Sequence, residues 1–450
     1  MNVGGRSAGC AIVGFAARFP GGVTARHFWE VLEDQGTLIR RVTDARRALL
    51  YPNQQPADAR RDLHGVFLDG VGAFDRRLFT ASPQGAGADP RERLLLDTCW
   101  TAMDDAGLHG ATHGVDVGVF IGQDAWYDGP RAGAGSADRA EGREVAGPFG
   151  APPYLAKRIS AALGLRGPSF AFHAACSSVY VAIDAACAAL ERHECEAALV
   201  GGITVFQRPP ADRRESPTHA MRSFSAGADG YVSSEGCGAF VLRRHDATAE
   251  RRHSVYGVVR ASGCDASEAT TSSGHASRDR IGALIARTLA AGRLRAEQIG
   301  YVEAHGIASL VPDAIEANAL IDVFGAGPRR EPCHVSTVKP NVGHAHAASG
   351  VYALVKALLA LRYGKIPAIR GLAGSELNRD IENPDDAIRF ATDTVDWPAR
   401  HGESRHILLP SFGLGNVNAT LVIAELAPVR HERRRRTSEN SLPAATHVAL

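Results

Sequence analysis

The sequence lacks any run of 18 or more consecutive apolar residues, so it predicts no transmembrane helix. The apolar stretch near its N-terminus is short and broken by Arg18, unlike a secretory signal, and we therefore expect a cytoplasmic protein. An excess of charge of either sign is also missing, because 50 Lys and Arg residues face 49 Asp and Glu residues, for a net charge of +1. This balance argues against nucleic-acid binding by broad neutralisation of phosphates.

Cysteine pairs of the CxxC type are absent among the eight cysteines, and no segment has the local spacing of a metal site. A chain of 450 residues does not need a disulfide framework, so its cysteine content is compatible with a reducing compartment. Lysine is scarce as well, because only four of the 50 basic residues are lysines, at positions 157, 339, 356 and 365. In such an arginine-rich chain the position of a lysine is more informative than usual.

The composition that remains is globular, with 45% hydrophobic residues, in a chain longer than a typical single domain of about 100–200 residues. Short apolar segments alternate with segments of helical periodicity, which is typical of a layered α/β fold. The expected helices are 90–107, 177–192, 278–293 and 347–363. The expected strands are 9–15, 114–122, 168–175, 197–205, 238–244, 254–263 and 299–306, with one more near 334 and two within 405–426.

A cysteine stands between a predicted strand and a predicted helix, in the motif Ala175-Cys176-Ser177-Ser178. A helix N-terminus offers free backbone N–H groups and the positive end of the helix dipole, and both favour a thiolate over a thiol. The same donors can hold an oxyanion. Taken alone, however, the motif fits a buried structural cysteine better, because that is the usual fate of a free cysteine.

Three further motifs lie where strands end. They are Glu303-Ala304-His305-Gly306, Lys339-Pro340-Asn341-Val342-Gly343-His344 and Ser411-Phe412-Gly413-Leu414-Gly415-Asn416. A histidine at a strand end can reach a cleft, and glycines let backbone N–H groups approach a ligand. Each motif alone also fits an ordinary polar loop.

The collinear order of the four motifs resembles the ketosynthases (β-ketoacyl-acyl-carrier-protein synthases), and above all those of polyketide synthases. The similarity reaches to about residue 426 and includes the segments AIVGFAARFPGG (11–22), DPRERLLLDTCWTAMDDAG (89–107), LGLRGPSFAFHAACSS (163–178), DGYVSSEGCGAFVL (229–242), YVEAHG (301–306), VKPNVGH (338–344) and SFGLGNVNA (411–419).

The resemblance implies an α/β, thiolase-like fold in which two similar halves form a five-layer αβαβα sandwich. We expect residues 1–250 to form the half with the nucleophilic cysteine and residues 251–428 the half with two catalytic histidines. Residues 429–450 carry an arginine run without periodicity and are expected to be a basic, disordered tail. The family also implies a homodimer, with a heterodimer left open.

The resemblance assigns roles to five positions. Cys176 matches the nucleophile, and His305 and His344 match the two catalytic histidines. Lys339 matches the lysine that organises the surroundings of the second histidine. Phe412 matches the gating aromatic, whose backbone N–H joins that of Cys176 in an oxyanion hole.

The chain departs from the family pattern after the first histidine. The family usually reads HGTGT, whose two threonine hydroxyls bind the pantetheine arm, whereas this chain reads HGIAS at 305–309. Ile307 cannot form that hydrogen bond, and Ser309 can replace it only in part. Together with Gly413 and Gly415 of the Gly-rich loop, these positions are our predicted substrate or pantetheine contacts.

The implied reaction is a decarboxylative Claisen condensation between an acyl group on Cys176 and a malonyl-type thioester on an acyl carrier protein. The substrates arrive on the carrier's phosphopantetheine arm, and no bound cofactor or metal is expected. We expect a discrete, free-standing enzyme that meets its carrier in trans, with no nucleic acid or membrane partner. Two alternatives stay open: an acyltransferase that passes the acyl group to a non-carbon nucleophile, and a non-elongating ketosynthase-like partner protein.

Overall fold

The computed structural model describes residues 9–50, 62–71, 89–108, 116–124, 154–206, 214–245, 255–266, 276–383, 386–400 and 403–426. The helices are α1 (Ala25–Glu33), α2 (Asp44–Leu50), α3 (Pro90–Asp105), α4 (Leu155–Ala162), α5 (Ser178–Glu191), α6 (Arg278–Ala291), α7 (Leu310–Gly325), α8 (Lys339–Val342) and α9 (Ser349–Tyr363). The tail predicted at 429–450 lies outside the described residues.

The strands are β1 (Cys10–Arg18), β2 (Arg40–Arg41), β3 (His64–Gly65), β4 (Val117–Gln123), β5 (Ser169–Phe172), β6 (Ala197–Thr204), β7 (Gly236–Arg244), β8 (Gly257–Ala266), β9 (Ile299–Glu303), β10 (Cys333–Ser336), β11 (Lys365–Ile366), β12 (Ile388–Phe390), β13 (Val395–Asp396), β14 (His406–Phe412) and β15 (Val417–Ala424). Each predicted strand and helix overlaps one of these elements. The sequence did not predict α1, α2, α4, α7, α8 or the short strands.

The large sheet is built twice from the same pattern. In one half the strand order is β5-β4-β6-β7-β1, and in the other it is β10-β9-β14-β15-β8, with β12 added at the edge. In each half the first three strands of this order pair in parallel. The fourth strand pairs antiparallel with the third, and the fifth pairs antiparallel with the fourth. A short antiparallel pairing of β1 with β8 joins the two halves.

Alternating side chains along the strands separate three apolar cores, because successive residues of a strand point to opposite faces. On β6, Ala198 and Val200 belong to the central core with α5 and α9, whereas Leu199 belongs to an outer core with α3 and α4. In the other half, Leu409 of β14 faces the central core and Leu408 faces an outer core with α6 and α7. The predicted five-layer sandwich of two similar halves is therefore confirmed.

The central helices position the site, since both α5 and α9 begin where polar loops meet between the halves. The loop after β5 leads into α5, and the loop after β10 leads through α8 into α9. Within the described residues, no helix is both long and apolar enough to cross a bilayer.

Candidate active site

A sharp turn carries Cys176 from the end of β5 into α5. The turn is a short 3-10 segment, Ala175–Ser177, and Ala175 has the unusual φ of 47°. Strain of this kind persists only where the surrounding structure holds it in place. Here the Ser178 hydroxyl accepts a hydrogen bond from the Ala174 N–H at 2.9 Å and donates one to the Ala175 carbonyl at 2.7 Å. The turn thereby presents the Cys176 thiol at the start of the central helix.

His344 lies against the thiol. Its Nε2 is 3.1 Å from Cys176 Sγ, and its Nδ1 is 2.8 Å from the hydroxyl oxygen of Ser349, the first residue of α9. The Ser349 hydroxyl can donate to Nδ1 or accept from it, so it can support either neutral tautomer of the ring. Ser349 was not predicted from the sequence, although a serine at a helix start, five residues after His344, indicates a possible hydrogen-bond partner for that ring.

The ionisation of this pair differs from the expectation drawn from the helix N-terminus. Burial raises the pKa of the Cys176 thiol to about 11, even though the Lys339 charge and a hydrogen bond from the Leu414 backbone N–H act in the opposite direction. Burial also lowers the pKa of His344 well below its usual value, and the neighbouring His346 and Lys339 add to that shift. The resting site therefore holds a neutral thiol beside a neutral imidazole, and the predicted preference for a thiolate is wrong for the resting state.

The turn after α8 places His344. Gly343 ends this helix with a φ of 73°, and a Cβ there would collide with the Ser234 side chain, so the position requires glycine. The Ser234 backbone N–H donates to the His344 carbonyl at 3.0 Å, and the His344 N–H donates to the Val232 carbonyl at 2.8 Å. The histidine is thus fixed by a segment far away in the sequence.

Lys339, at the start of α8, is buried, with 5% of its surface exposed. Burial lowers its pKa, while the carboxylates of Glu316 and Glu303 act to raise it. Its charge acts on both members of the thiol–imidazole pair, since it lowers the pKa of Cys176 and that of His344. Lys339 therefore influences the site through its electric field.

His305 follows β9 and faces His344, with ring centroids 5.8 Å apart and ring planes nearly perpendicular. The Glu316 carboxylate of α7 accepts hydrogen bonds from the backbone N–H groups of His305 at 2.7 Å and Gly306 at 2.8 Å. Burial raises the pKa of Glu316 to about 7. Neither Glu316 nor its helix was predicted, so this anchor of the first histidine was missed.

Two serines fasten the Gly-rich loop to the turn that carries Cys176. The Ser411 hydroxyl donates to the Cys176 carbonyl at 3.0 Å, and the Ser177 hydroxyl donates to the Ser411 carbonyl at 3.0 Å. Gly413 fits closely, because a Cβ there would lie 2.6 Å from both the Ala174 and Val417 carbonyl oxygens.

The residues of that loop have distinct positions. The Phe412 ring lies edge-on to His305 at a centroid distance of 5.7 Å. The Leu414 backbone N–H, which the sequence reading did not single out, donates to the Cys176 sulfur. Gly415 adopts a φ of 91° in open space at the turn.

The structure brings together Cys176, His305, His344, Lys339 and Phe412, whereas the predicted pantetheine contacts are more dispersed. Ile307 and Ser309 are half-buried on the segment between His305 and α7. A small cavity of about 10 Å³, roughly the space of one water, adjoins His305. It is lined by Tyr180, Ala304, His305, Lys339, Ser349, Gly350, Ala353, Pro410 and Ser411.

Two family models match this chain. Residues 8–248 match the N-terminal domain of β-ketoacyl synthases, and residues 256–373 match the C-terminal domain. The chain belongs to the β-ketoacyl synthase family. The predicted family is thereby confirmed, together with the acyltransferase class of enzymes that the family comprises.

Curated relatives in this family are polyketide synthases. Erythronolide synthase EryA2 of Saccharopolyspora erythraea is 35% identical over 96% of this chain, which spans 12% of that relative. The pikromycin polyketide synthase component PikAIII of Streptomyces venezuelae is 34% identical over 93% of this chain, which spans 28% of it. The chain therefore corresponds to the ketosynthase part of much longer proteins.

Solved ketosynthase domains have the same fold. The oxazolomycin ketosynthase domain OzmH KS7 of Streptomyces albus JA3453 has a TM-score of 0.79 and 28% identity, with 94% of this chain and 77% of that chain covered. The ketosynthase from module 6 of the bacillaene synthase of Bacillus subtilis 168 has a TM-score of 0.79 and 27% identity, with coverages of 93% and 72%. The predicted thiolase-like fold is confirmed.

Proposed function

We propose that this chain is a polyketide ketosynthase that joins an acyl group on Cys176 to a malonyl-type carrier-protein thioester by decarboxylative Claisen condensation. The observation that carries the proposal is the thiol–imidazole pair, with 3.1 Å between Cys176 Sγ and His344 Nε2, and with His305 beside it. Family membership supports the reaction class. We also propose that the two halves of the chain meet near residue 250 and that the protein is cytoplasmic.

In the first step, the acyl group moves from the carrier's pantetheine sulfur to Cys176. Because the thiol is neutral at rest, His344 Nε2 accepts its proton as the sulfur attacks the thioester carbonyl. The backbone N–H groups of Cys176 and Phe412 are the proposed oxyanion donors, and loss of one such donor typically costs about 3–4 kcal/mol. When the intermediate collapses, the C–S bond to pantetheine breaks, and the imidazolium returns the proton to the leaving sulfur.

In the second step, the malonyl thioester loses its carboxylate as CO2, and its electron pair forms an enolate. His305 and His344, both neutral, donate N–H hydrogen bonds to the enolate oxygen. The low pKa of His344 keeps that ring neutral in both steps, but the two steps use different tautomers. In the first step the Ser349 hydroxyl accepts from Nδ1–H while Nε2 takes the thiol proton, and in the second, after the ring has exchanged its proton with solvent, the hydroxyl donates to Nδ1 while Nε2–H donates to the enolate. The enolate carbon attacks the acyl-Cys176 carbonyl, the C–S bond breaks, and Cys176 recovers a proton from solvent.

An acyl carrier protein is the proposed partner, in trans or as part of a longer assembly, and a dimer is the proposed oligomer. The substrates are carried on phosphopantetheine, and no bound cofactor or metal is needed for either step. Since Ile307 lacks the hydroxyl found at the matching family position, we propose that the pantetheine arm is held with one hydrogen bond fewer, with Ser309, Gly413 and Gly415 as the remaining contacts.

Mass spectrometry after incubation with an acyl-carrier thioester tests the first step. We expect one acyl adduct on the Cys176 peptide and none in the Cys176→Ala variant. Cys264→Ala is the matched control, because Cys264 is likewise a half-buried free cysteine and should leave the adduct unchanged. An unmodified Cys176 peptide in the correctly folded wild type would refute the proposal.

A second candidate function is an acyltransferase that passes the acyl group to an amine, alcohol or thiol, and Ile307 at the pantetheine-binding segment is the observation that favours it. Isolated acyl-enzyme incubated with malonyl-carrier thioester separates the two. Release of CO2 together with a β-ketoacyl product supports condensation, whereas a stable acyl-enzyme that is discharged by a non-carbon nucleophile supports transfer. The third alternative, a non-elongating partner protein, predicts equal product formation by wild type and Cys176→Ala.

A further inference from the structure

Two histidines and an aspartate from distant parts of the sequence meet away from Cys176. Asp62 Oδ2 is 3.7 Å from His64 Nδ1 and 3.8 Å from His219 Nε2. The ligand atoms of the three residues all lie within 4.8 Å of one another. The two imidazole rings stack with their centroids 4.1 Å apart.

The cluster has the features of a binding site rather than of a hydrogen-bonded network. His64 Nδ1 is enclosed by protein and has no hydrogen-bond partner. Asp62 Oδ1 pairs with Arg41 at 3.1 Å, which leaves Oδ2 directed toward the two rings. A buried nitrogen without a partner is uncommon and costs free energy, so a missing ligand is a direct explanation for it.

We propose that Asp62, His64 and His219 bind a divalent transition-metal ion, and zinc fits this donor set best. Two imidazole nitrogens and one carboxylate oxygen are a common ligand set for zinc, whereas magnesium and calcium prefer oxygen ligands. Tetrahedral zinc with bonds of about 2.1 Å places its ligand atoms about 3.4 Å apart. Asp62, which is exposed, would move a few tenths of an ångström toward each ring nitrogen, and the two stacked rings would turn so that both nitrogens face the ion.

The site joins two segments that both touch the loop of His344. On one side, the strand of His64 and Gly65 passes directly over the Ser233 carbonyl, and Val66 N–H donates to the Ser234 hydroxyl at 3.2 Å. On the other side, the segment that leads to His219 exchanges backbone hydrogen bonds with Tyr231 through Arg214 and Ser216. The Tyr231 ring lies edge-on to His344 at a centroid distance of 5.2 Å. A bound ion would therefore clamp two segments that cover one catalytic histidine.

Local spacing could not reveal this site, because its ligands come from positions 62, 64 and 219. The sequence predicted no bound metal, so the proposed ion departs from that prediction, and it takes no part in the condensation. The inference is thus independent of the proposed condensation and survives if that proposal fails.

Zinc binding to the whole chain tests the inference, with Cys176 alkylated to remove its thiol as a ligand. We expect one Zn²⁺ per wild-type chain, no binding of Mg²⁺, and a higher melting temperature with zinc. Loss of a residue that only hydrogen-bonds to a zinc ligand typically weakens zinc binding by about 10–100-fold. Loss of a ligand itself, in Asp62→Asn or His219→Ala, should therefore weaken zinc binding by at least about tenfold. His27→Ala, at an exposed histidine paired with Glu30, is the matched control and should bind zinc like the wild type.

Equal zinc binding by His219→Ala and wild type would overturn the inference, as would no binding by the wild type. Cobalt provides a second readout, because a Co²⁺ complex with a thiolate charge-transfer band would show that cysteines hold the ion, which also contradicts it. The metal-free variants should melt at the metal-free wild-type temperature, so that a loss of binding is not a loss of folding.

Discussion

Among the side chains around His344, the proposed second catalytic histidine, His346 has the largest electrostatic effect on its pKa. Its ring lies 5.1 Å from that of His344, and its Nε2 is 3.2 Å from the Ser233 hydroxyl. Burial is the main cause of the lowered pKa of His344, and the electrostatic interaction with His346 is the next largest. His346 touches neither the thiol nor, in the proposed reaction, the substrate, so we regard it as a positioning residue.

We predict that His346→Gln raises the pKa of His344. His344 must be neutral to accept the Cys176 proton, so acylation is lost as the pH falls through that pKa, and the acidic limb of the pH–rate profile should move to higher pH. Glutamine can keep the hydrogen bond to Ser233, and the rate on the plateau should change little. The pH dependence of Cys176 acylation measures this shift, with His334→Gln on β10 as the control. An unchanged acidic limb would contradict the assigned role.

At this scale, the sequence and the structure agree on some residues and not on others. Motif resemblance alone selected Cys176, His305 and His344, and the structure brings them together. The direction of the Cys176 pKa was wrong, because a local helix-terminus argument cannot include the burial that the rest of the fold imposes. Ser349 and Glu316 were missed because their partners depend on how separate elements meet.

At the scale of elements, the hairpin turn between β14 and β15 supports the turn that carries Cys176. Gly413 N–H donates to the Val417 carbonyl at 3.0 Å, and the absent side chain lets the loop lie directly on Ala174. The serine contacts from Ser177 and Ser411 hold the same interface. The loop and the turn therefore behave as one unit.

We predict that Gly413→Ala displaces the Gly-rich loop from the turn of Cys176, because the new Cβ would lie 2.6 Å from two carbonyl oxygens. A displacement of about 1 Å near reacting groups typically costs about 100-fold in rate, and we expect a loss of that order in Cys176 acylation. Single-turnover acylation kinetics measure it. Gly227→Ala, where the nearest atom lies 3.5 Å away, is the control and should retain the wild-type rate. Equal rates for both variants would show that the close approach is not needed.

Long periodic elements were predictable and context-dependent ones were not. The helix now seen as Arg278–Ala291 was predicted at 278–293 from its apolar face, and the central strands were predicted from continuous apolar runs. Helix α7 was missed although Ser309 precedes it and Pro312 lies in its first turn, since its apolar residues are spread around the helix. This omission hid Glu316 as well.

At the scale of the whole molecule, the duplication is clear in the sheet and faint in the sequence. The order and direction of the strands repeat between the halves, while the similar rhythm of strands and helices was the only sign of it in the chain. Sheet order depends on contacts between distant segments, which a single sequence does not record. The resemblance to a known family supplied what periodicity could not.

A buried ion pair ties the central layer to the second half of the sheet. Lys356 of α9 lies 2.9 Å from the Glu303 carboxylate of β9 and donates to the Ser336 hydroxyl at 2.8 Å, and neither charged side chain is exposed. Glu303 also accepts the Val338 N–H at 2.7 Å, just before α8. Lys356, one of four lysines, thus has a structural role that the sequence did not indicate.

We predict that Lys356→Met destabilises the fold by about 3–5 kcal/mol, because it leaves the Glu303 carboxylate buried without its partner. The double variant Lys356→Met with Glu303→Gln should recover part of that loss, since no uncompensated charge remains. Thermal unfolding of the two variants and the wild type compares them. A double variant less stable than Lys356→Met would contradict this account of the pair.

The central claim concerns the condensation itself, and one measurement addresses it most directly. Wild type and Cys176→Ala are each incubated with the acyl-carrier thioester and then mixed with malonyl-carrier thioester, and both CO2 and the carrier-bound product are quantified. We predict that the wild type releases one CO2 for each β-ketoacyl thioester formed, and that Cys176→Ala forms no such product. Acyl-enzyme that persists without a β-ketoacyl product, or equal product from both proteins, would contradict the claim.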